Sequence, residues 1–261
     1  MTRKAAAATP DPDPRDEILR LARELDLTTL ALPDKLREIF ERVEKGKASY
    51  TEFAVLLLKA ELEVRHERRL TRALKRARLS AVEGLEGFNF SWRPKLAERV
   101  VKELLGCQFA RDRRNVLCFG PPGTGKTRVI KAIARAACLQ GLSVLYTTAV
   151  ELLEDLYSSQ ADATFRKALR RYTKPVVLCV DEFGYTNLDT ALSVHLFRLV
   201  NARHGLGSIV LAANTGPAEW RSFFPSEVQA VATADRLIDR ATILRFSGKS
   251  GRKPEEGSVD D

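Results

Sequence analysis

The chain has 261 residues, 44% of them hydrophobic, enough for one full-sized domain and a smaller appendage, which excludes a mostly disordered protein. Forty-three Lys and Arg against 34 Asp and Glu leave a net charge of +9, a bias towards a polyanionic partner such as nucleic acid that by itself proves none. Cys107, Cys118, Cys138 and Cys179 form no C-x-x-C pair and three lie in apolar runs, and no stretch approaches the ~18 uninterrupted apolar residues of a membrane span; a soluble, cytoplasmic protein with reduced core cysteines is expected.

Residues 1–14 repeat Asp-Pro and offer nothing to bury, so they are expected to be a flexible lead-in. From Arg15 to about Arg78 the pattern is helical throughout. Ile18, Leu19, Leu21, Ala22 and Leu25 form one apolar stripe, and Leu36, Ile39, Phe40 and Val43 form another. Ser49 followed by Glu52 makes a capping box for a third helix running to about Arg78. These helices predict a small all-helical domain over 15–82. After a break at Ser80–Gly87 the character changes. Short apolar runs at Asn115–Phe119, Ser143–Tyr146, Val176–Val180 and Ser208–Ala213 alternate with helical stretches such as Arg128–Gln140 and Thr190–Arg203. That alternation predicts an α/β domain over 87–248 with a central parallel sheet and flanking helices, and a disordered tail over 249–261.

Within the α/β part, Gly120-Pro121-Pro122-Gly123-Thr124-Gly125-Lys126-Thr127 is a complete phosphate-binding loop, set between a strand and a helix. Its amides and the helix N-terminus converge on one anion site. Lys126 supplies a point charge to the β- and γ-phosphates of ATP, the Thr127 hydroxyl can ligate Mg²⁺, and Arg128 follows directly on the loop. The strand Val176–Val180 then delivers Asp181 and Glu182 at its C-terminal end, the edge of an open α/β sheet where ligands bind. Asp181 is placed to hold Mg²⁺, usually through water, and Glu182 to orient and deprotonate the attacking water. Asn214, ending a third strand, could bridge that water and the γ-phosphate, although Asn-Thr-Gly-Pro is also an ordinary turn. Arg236 and Arg240, one helical turn apart, could neutralise charge on the transferred group or pair with neighbouring aspartates as surface salt bridges.

Ahead of the loop, Arg65, Arg68, Arg69, Arg72 and Arg76 fall within about 100° of one another on the third helix, with Leu70, Ala73, Leu74 and Ala77 on the other side. Five arginines with Glu67 as the one acid in the segment need counterions, and the backbone of double-stranded DNA supplies them without sequence preference. An acidic protein face and simple solvation are the alternatives. Arg166, Lys167, Arg170, Arg171 and Lys174 make a second basic cluster. His66, His195 and His204 are isolated and suggest neither a metal site nor a catalytic base.

The chain resembles the IstB family of transposon helper ATPases, within the AAA+ class that also holds DnaC-type helicase loaders. The likeness runs through Ala60–Arg65, Arg68-Arg69, Leu74–Arg78, Phe88-Asn-Phe90, Asn115–Thr127, Arg171-Tyr172, Val180–Tyr185, Leu188-Asp189, Asn214, Glu219-Trp220, Asp235–Leu237 and Gly248-x-Ser250-x-Arg252. It implies a P-loop AAA+ ATPase that assembles as an ATP-dependent homo-oligomer on DNA and engages the transposase of its own mobile element. By the same likeness Asn214 matches the first sensor, Arg236 an arginine finger inserted into a neighbouring subunit, and Arg252 a second sensor. In a ring or spiral of such subunits the second basic cluster could line the pore. The chain departs from the family pattern at Arg128, where a His is common, at Thr186-Asn187, and at Asn214-Thr-Gly-Pro217. A loader of a replicative helicase is the second reading; it shares the ATPase core, and the N-terminal helices resemble it less. A nucleotide-binding adaptor without turnover is disfavoured by Glu182.

Overall fold

A computed structural model describes residues 14–27, 30, 32–46, 49–79, 84–161, 164–185, 187–248 and 250. Most of the expected lead-in, most of the expected tail, Thr186 and Arg252 lie outside them. The described chain forms two compact units divided between Arg69 and Leu70.

The first unit holds α1 (Pro14–Glu24), α2 (Pro33–Gly46) and the start of α3 (Tyr50–Ala77). Its small core is Ala22, Leu30 and Leu36, with Ile18, Ile39, Phe40 and Leu57 packed against it. The Phe40 and Phe53 rings meet at 5.1 Å. Leu21 and Leu25, expected in the α1 stripe, are 41% and 65% exposed. At 100° per residue they sit on the margin of the face that Ile18, Leu19 and Ala22 define, so the buried stripe is narrower than the apolar one. The capping box forms: the Ser49 amide donates to Glu52 Oε2 at 2.7 Å and the Glu52 amide to Ser49 Oγ at 3.3 Å. Those bonds hold the Glu52 carboxyl below its ordinary pKa.

In the second unit the C-terminal part of α3 leads, and Leu74 and Ala77 pack with Val101, Ile130 and Ile133. The sequence places the domain boundary at residue 82; the division observed in α3 reflects this packing of its last apolar residues. Then follow α4 (Glu98–Leu105), α5 (Gln108–Arg111), β1 (Val116–Phe119), α6 (Lys126–Leu139), β2 (Val144–Thr148), α7 (Ala149–Ala161), α8 (Phe165–Thr173), β3 (Val177–Phe183), α9 (Thr190–Arg203), β4 (Ser208–Ala213), α10 (Glu227–Ile238) and β5 (Thr242–Arg245). The five strands are parallel, in the order β2-β3-β4-β1-β5.

Alternate residues of each strand face opposite sides of the sheet. Leu117, Phe119, Leu178, Val180 and Leu211 pack with residues of α7, α9 and α10 such as Leu152, Leu199 and Leu237. Val116, Cys118, Val177, Cys179, Val210 and Ala212 pack with α4 and α6. Burial on both faces is why these strands read as continuous apolar runs rather than as alternating ones. All four cysteines are free and buried, and burial raises every thiol pKa, that of Cys138 to about 11. Among the described residues no helix is long and apolar enough to cross a membrane.

Candidate functional site

The strand order sets the site. β3, β4 and β1 are neighbours, so the loops leaving their C-terminal ends lie side by side, the outer two about 10 Å apart at two strand spacings. The loop 120–125 runs from β1 into α6. Gly120 passes so close to the chain after β5 that a Cβ would come within 2.2 Å of the Phe246 carbonyl oxygen. Gly125, the residue before α6, has φ 94°, and a Cβ there would come within 2.6 Å of the Phe88 ring. Both positions need glycine for space as well as for backbone freedom. Thr124 is fully buried and its hydroxyl donates to the Pro121 carbonyl at 2.7 Å. Lys126, 8% exposed, folds its side chain back over the loop: Nζ donates to the carbonyls of Gly120 (2.6 Å) and Pro121 (2.8 Å) and to Asn214 Oδ1 (2.9 Å). Thr127 is exposed on the first turn of α6. A helix N-terminus, the loop between β1 and α6 and an ammonium therefore meet at one point, an arrangement suited to phosphate.

A β-bulge in β3 shapes the facing wall. Val180 pairs with Leu211 and Phe183 with Ala213, so three steps along β3 match two along β4. The extra residue puts Glu182 in the left-handed region, at φ 57°, with its side chain exposed, while Asp181 stays 4% exposed. Asp181 accepts from the Tyr146 hydroxyl through Oδ2 at 2.7 Å and from the Glu182 amide through Oδ1 at 2.9 Å. Lys131 Nζ lies 5.1 Å from the centroid of the Tyr146 ring. Lys126, Thr127, Asp181, Glu182 and Asn214 all line one cleft of about 800 Å³.

That volume falls in the range of small-molecule and cofactor sites. The remaining wall comes from Gly84 to Arg93, including Phe88 and the half-exposed Trp92. Arg128 holds this segment, donating to the carbonyls of Glu86 and Gly84, with its guanidinium 5.9 Å from the Phe88 ring centroid. Among the described residues no group of three or more His, Cys, Asp or Glu gathers as a metal site. The donor set of the cleft, one buried carboxylate and a threonine hydroxyl beside a phosphate loop, nevertheless fits Mg²⁺, which is usually held by one or two carboxylates together with phosphate oxygens.

Arg236 is exposed on α10 and is not among the residues lining this cleft; Arg240 lies just beyond α10. Neither arginine forms an ion pair among the described residues; Asp239 instead meets His204 at 2.8 Å. Arg65, Arg68, Arg69, Arg72 and Arg76 are all exposed on α3. Arg65 Nε pairs with the buried Glu61 at 2.7 Å and NH2 donates to the Asp26 carbonyl at 3.1 Å. Glu61 lies one turn ahead of the arginine segment, in which Glu67 is the one acid. The sequence also gave no cue to Arg93, which is 5% exposed and bonds to the loop, or to Tyr146 on Asp181. An isolated arginine after an aromatic turn and a tyrosine in a strand carry no periodic or motif signal.

The family model described as IstB-like ATP binding protein matches residues 20–258. A Pseudomonas aeruginosa protein described as an ATP-binding protein of insertion sequence IS21 is 34% identical over 221 residues, 85% of this chain and 83% of its own. The replication initiator DnaA bound to AMPPCP and single-stranded DNA superposes with a TM-score of 0.55 at 20% identity, over 65% of this chain and 51% of DnaA. The DnaC helicase loader gives 0.50 at 14% identity, over 57% of this chain and 87% of the loader. The match thus spans about half of the DnaA chain, and at these identities the two structures share with this one the AAA+ fold alone.

Proposed function

Because the chain belongs to the family of IstB-like ATP-binding proteins, we propose that it is an ATP-hydrolysing switch of DNA transposition, assembling with its own copies on duplex DNA and engaging the transposase of its mobile element. One observation carries the reading. Lys126, Asp181, Glu182 and Asn214 face a single cleft, while Arg236 stands exposed on α10 outside it, available to a neighbouring copy.

Bound ATP with Mg²⁺ supplies the phosphoryl group to be transferred; the rest is the work of this chain. Lys126 donates to the β- and γ-phosphate oxygens, and the amides of Gly123, Thr124 and Gly125 wrap the phosphates. Thr127 and Asp181 would hold the ion, which would supply positive charge beside the phosphates, and Arg128 steadies the wall of the cleft. Glu182 orients the attacking water and takes its proton, and Asn214 fixes the water's position. Arg236 of one copy enters the next copy's cleft and neutralises charge on the transferred group, so that hydrolysis and assembly depend on each other. The exposed arginines of α3 track the phosphate backbone of DNA. The ligands named for the DnaA structure, AMPPCP and single-stranded DNA, are compatible with a nucleotide-controlled DNA partner here.

The test is assembly on duplex DNA followed by sedimentation. Glu182→Gln, which binds ATP without turning it over, is expected to trap a stable oligomer on DNA, and Lys126→Ala to prevent assembly. Equal oligomerisation of both variants with and without ATP would sink the switch.

A further inference from the structure

Arg93 follows the 3-10 turn Phe90–Trp92 and is 5% exposed. Its Nε donates to the Thr124 carbonyl at 2.6 Å, NH1 to the Trp92 carbonyl at 3.0 Å, and NH2 reaches the Gly123 carbonyl at 3.5 Å. Two of these acceptors are consecutive residues in the middle of the phosphate loop. A trans peptide group is planar, with its carbonyl and the following N–H pointing in opposite directions. Holding the Thr124 carbonyl therefore turns the Gly125 N–H away from Arg93, and holding the Gly123 carbonyl does the same for the Thr124 N–H.

Such a clamp has a physical purpose. Gly123 and Gly125, at φ 73° and 94°, leave this stretch free to rotate its peptide groups at little cost, and a loop that flips must be reordered each time an anion binds. A charged donor on the carbonyl also polarises the peptide, making its N–H a stronger donor. Packing closes the other sides: the Phe88 ring lies against Gly125, and Ser250 lies so near Gly123 that a Cβ there would come within 2.2 Å of its hydroxyl.

We propose that Arg93 is a positioning residue that presets the phosphate loop, fixing the Thr124 and Gly125 amides in the orientation that receives the phosphates of ATP and ADP alike. The proposal rests on the nucleotide reading of the cleft. It acts through the loop and not through contact with the reacting atoms.

Calorimetric titration of wild type, Arg93→Lys and Arg93→Ala with ATP and with ADP tests it. Arg93→Ala is expected to lose about ten- to hundredfold in affinity for both nucleotides, the range set by deleting hydrogen bonds from a charged donor. Arg93→Lys, which keeps the charge on a single donor nitrogen that cannot reach both carbonyls in the guanidinium's fork geometry, falls between. Millimolar methylguanidinium restores part of the Arg93→Ala loss, which a general weakening of the fold would not allow. Lysine and alanine variants that bind within about twofold of wild type, or an alanine loss untouched by methylguanidinium, would overturn the proposal. If Arg93→Ala does not fold, Arg93→Lys decides alone, wild-type affinity overturning it and an intermediate loss for both nucleotides supporting it. A wild-type chain that binds neither nucleotide would instead overturn the nucleotide reading, and this proposal with it.

Discussion

Lys126 brings a positive charge into a site where it is 8% exposed, and three oxygens around Nζ offset the desolvation. One of them belongs to Asn214, at the end of a strand remote in sequence. Under the proposed function a γ-phosphate competes with Asn214 for the same ammonium, which couples the loop to the residue that positions the water. The loop, Asp181 and Glu182 were legible as chemistry because each is a fixed string of residue types at the end of an apolar run. Their supports were not: Tyr146 and Arg93 act through contacts 35 and about 30 residues away, and no spacing rule records those. The histidines carry no motif in the sequence, and the structure gives one of them a consequence. His195 is 2% exposed on α9, beside Gln160 and 4.8 Å from the Phe165 ring centroid. Burial, and then the charge of Arg198, lower its pKa from 6.5, with Asp189 opposing. The unfolded chain therefore takes up a proton more readily than the folded one, so stability present above pH 6.5 is lost as pH falls below it. Thermal melts of wild type should drop between about pH 7 and pH 5, and those of His195→Asn should drop less. Parallel curves for the two proteins would contradict this.

At the scale of elements, four of the five strands, α6 and α9 were legible because each is an apolar or periodic run. β5 was not anticipated, since Thr242–Arg245 is four residues at a sheet edge with Leu244 alone fully buried. The bulge in β3 was equally hidden, because Asp181-Glu182-Phe183 has no residue that demands one. A third hidden feature is Arg203, at the end of α9 and 1% exposed. It donates to the carbonyls of Tyr172, Thr173, Pro175, Val176 and Ser208, tying the end of α8 to the entries of β3 and β4. Burial lowers its pKa to about 10, still charged at neutral pH. Arg203→Met takes the guanidinium from all five carbonyls, of which Val176 keeps the Ser208 amide, and should cost more than about 3 kcal/mol in urea unfolding. Nucleotide affinity of the folded fraction should be unchanged, because these contacts lie at the opposite edge of the sheet from the cleft. A cost under about 1 kcal/mol would show that water replaces the guanidinium freely.

For the whole molecule, the fold class follows from strands alternating with helices, and the strand order then brings β1, β4 and β3 together at the cleft. The helical first unit was legible from its stripes and its capping box, but the end of its territory was not. The apolar residues of α3 that belong to the second unit continue the same helical period without a break. The proposed assembly of copies rests on Arg236, an exposed arginine that does not line the cleft of its own chain. Mixing two inactive variants tests that claim most directly. Arg236→Ala keeps an intact cleft and lacks the finger, whereas Glu182→Gln keeps the finger and lacks the base. Each alone should hydrolyse ATP on DNA at a small fraction of the wild-type rate. If Arg236 serves a neighbouring copy, an equal mixture should recover roughly a quarter of wild-type hydrolysis, the share of sites pairing an intact cleft with an intact finger across a head-to-tail interface. A mixture no faster than the mean of the two variants would contradict the account, because the site would then be complete within one chain.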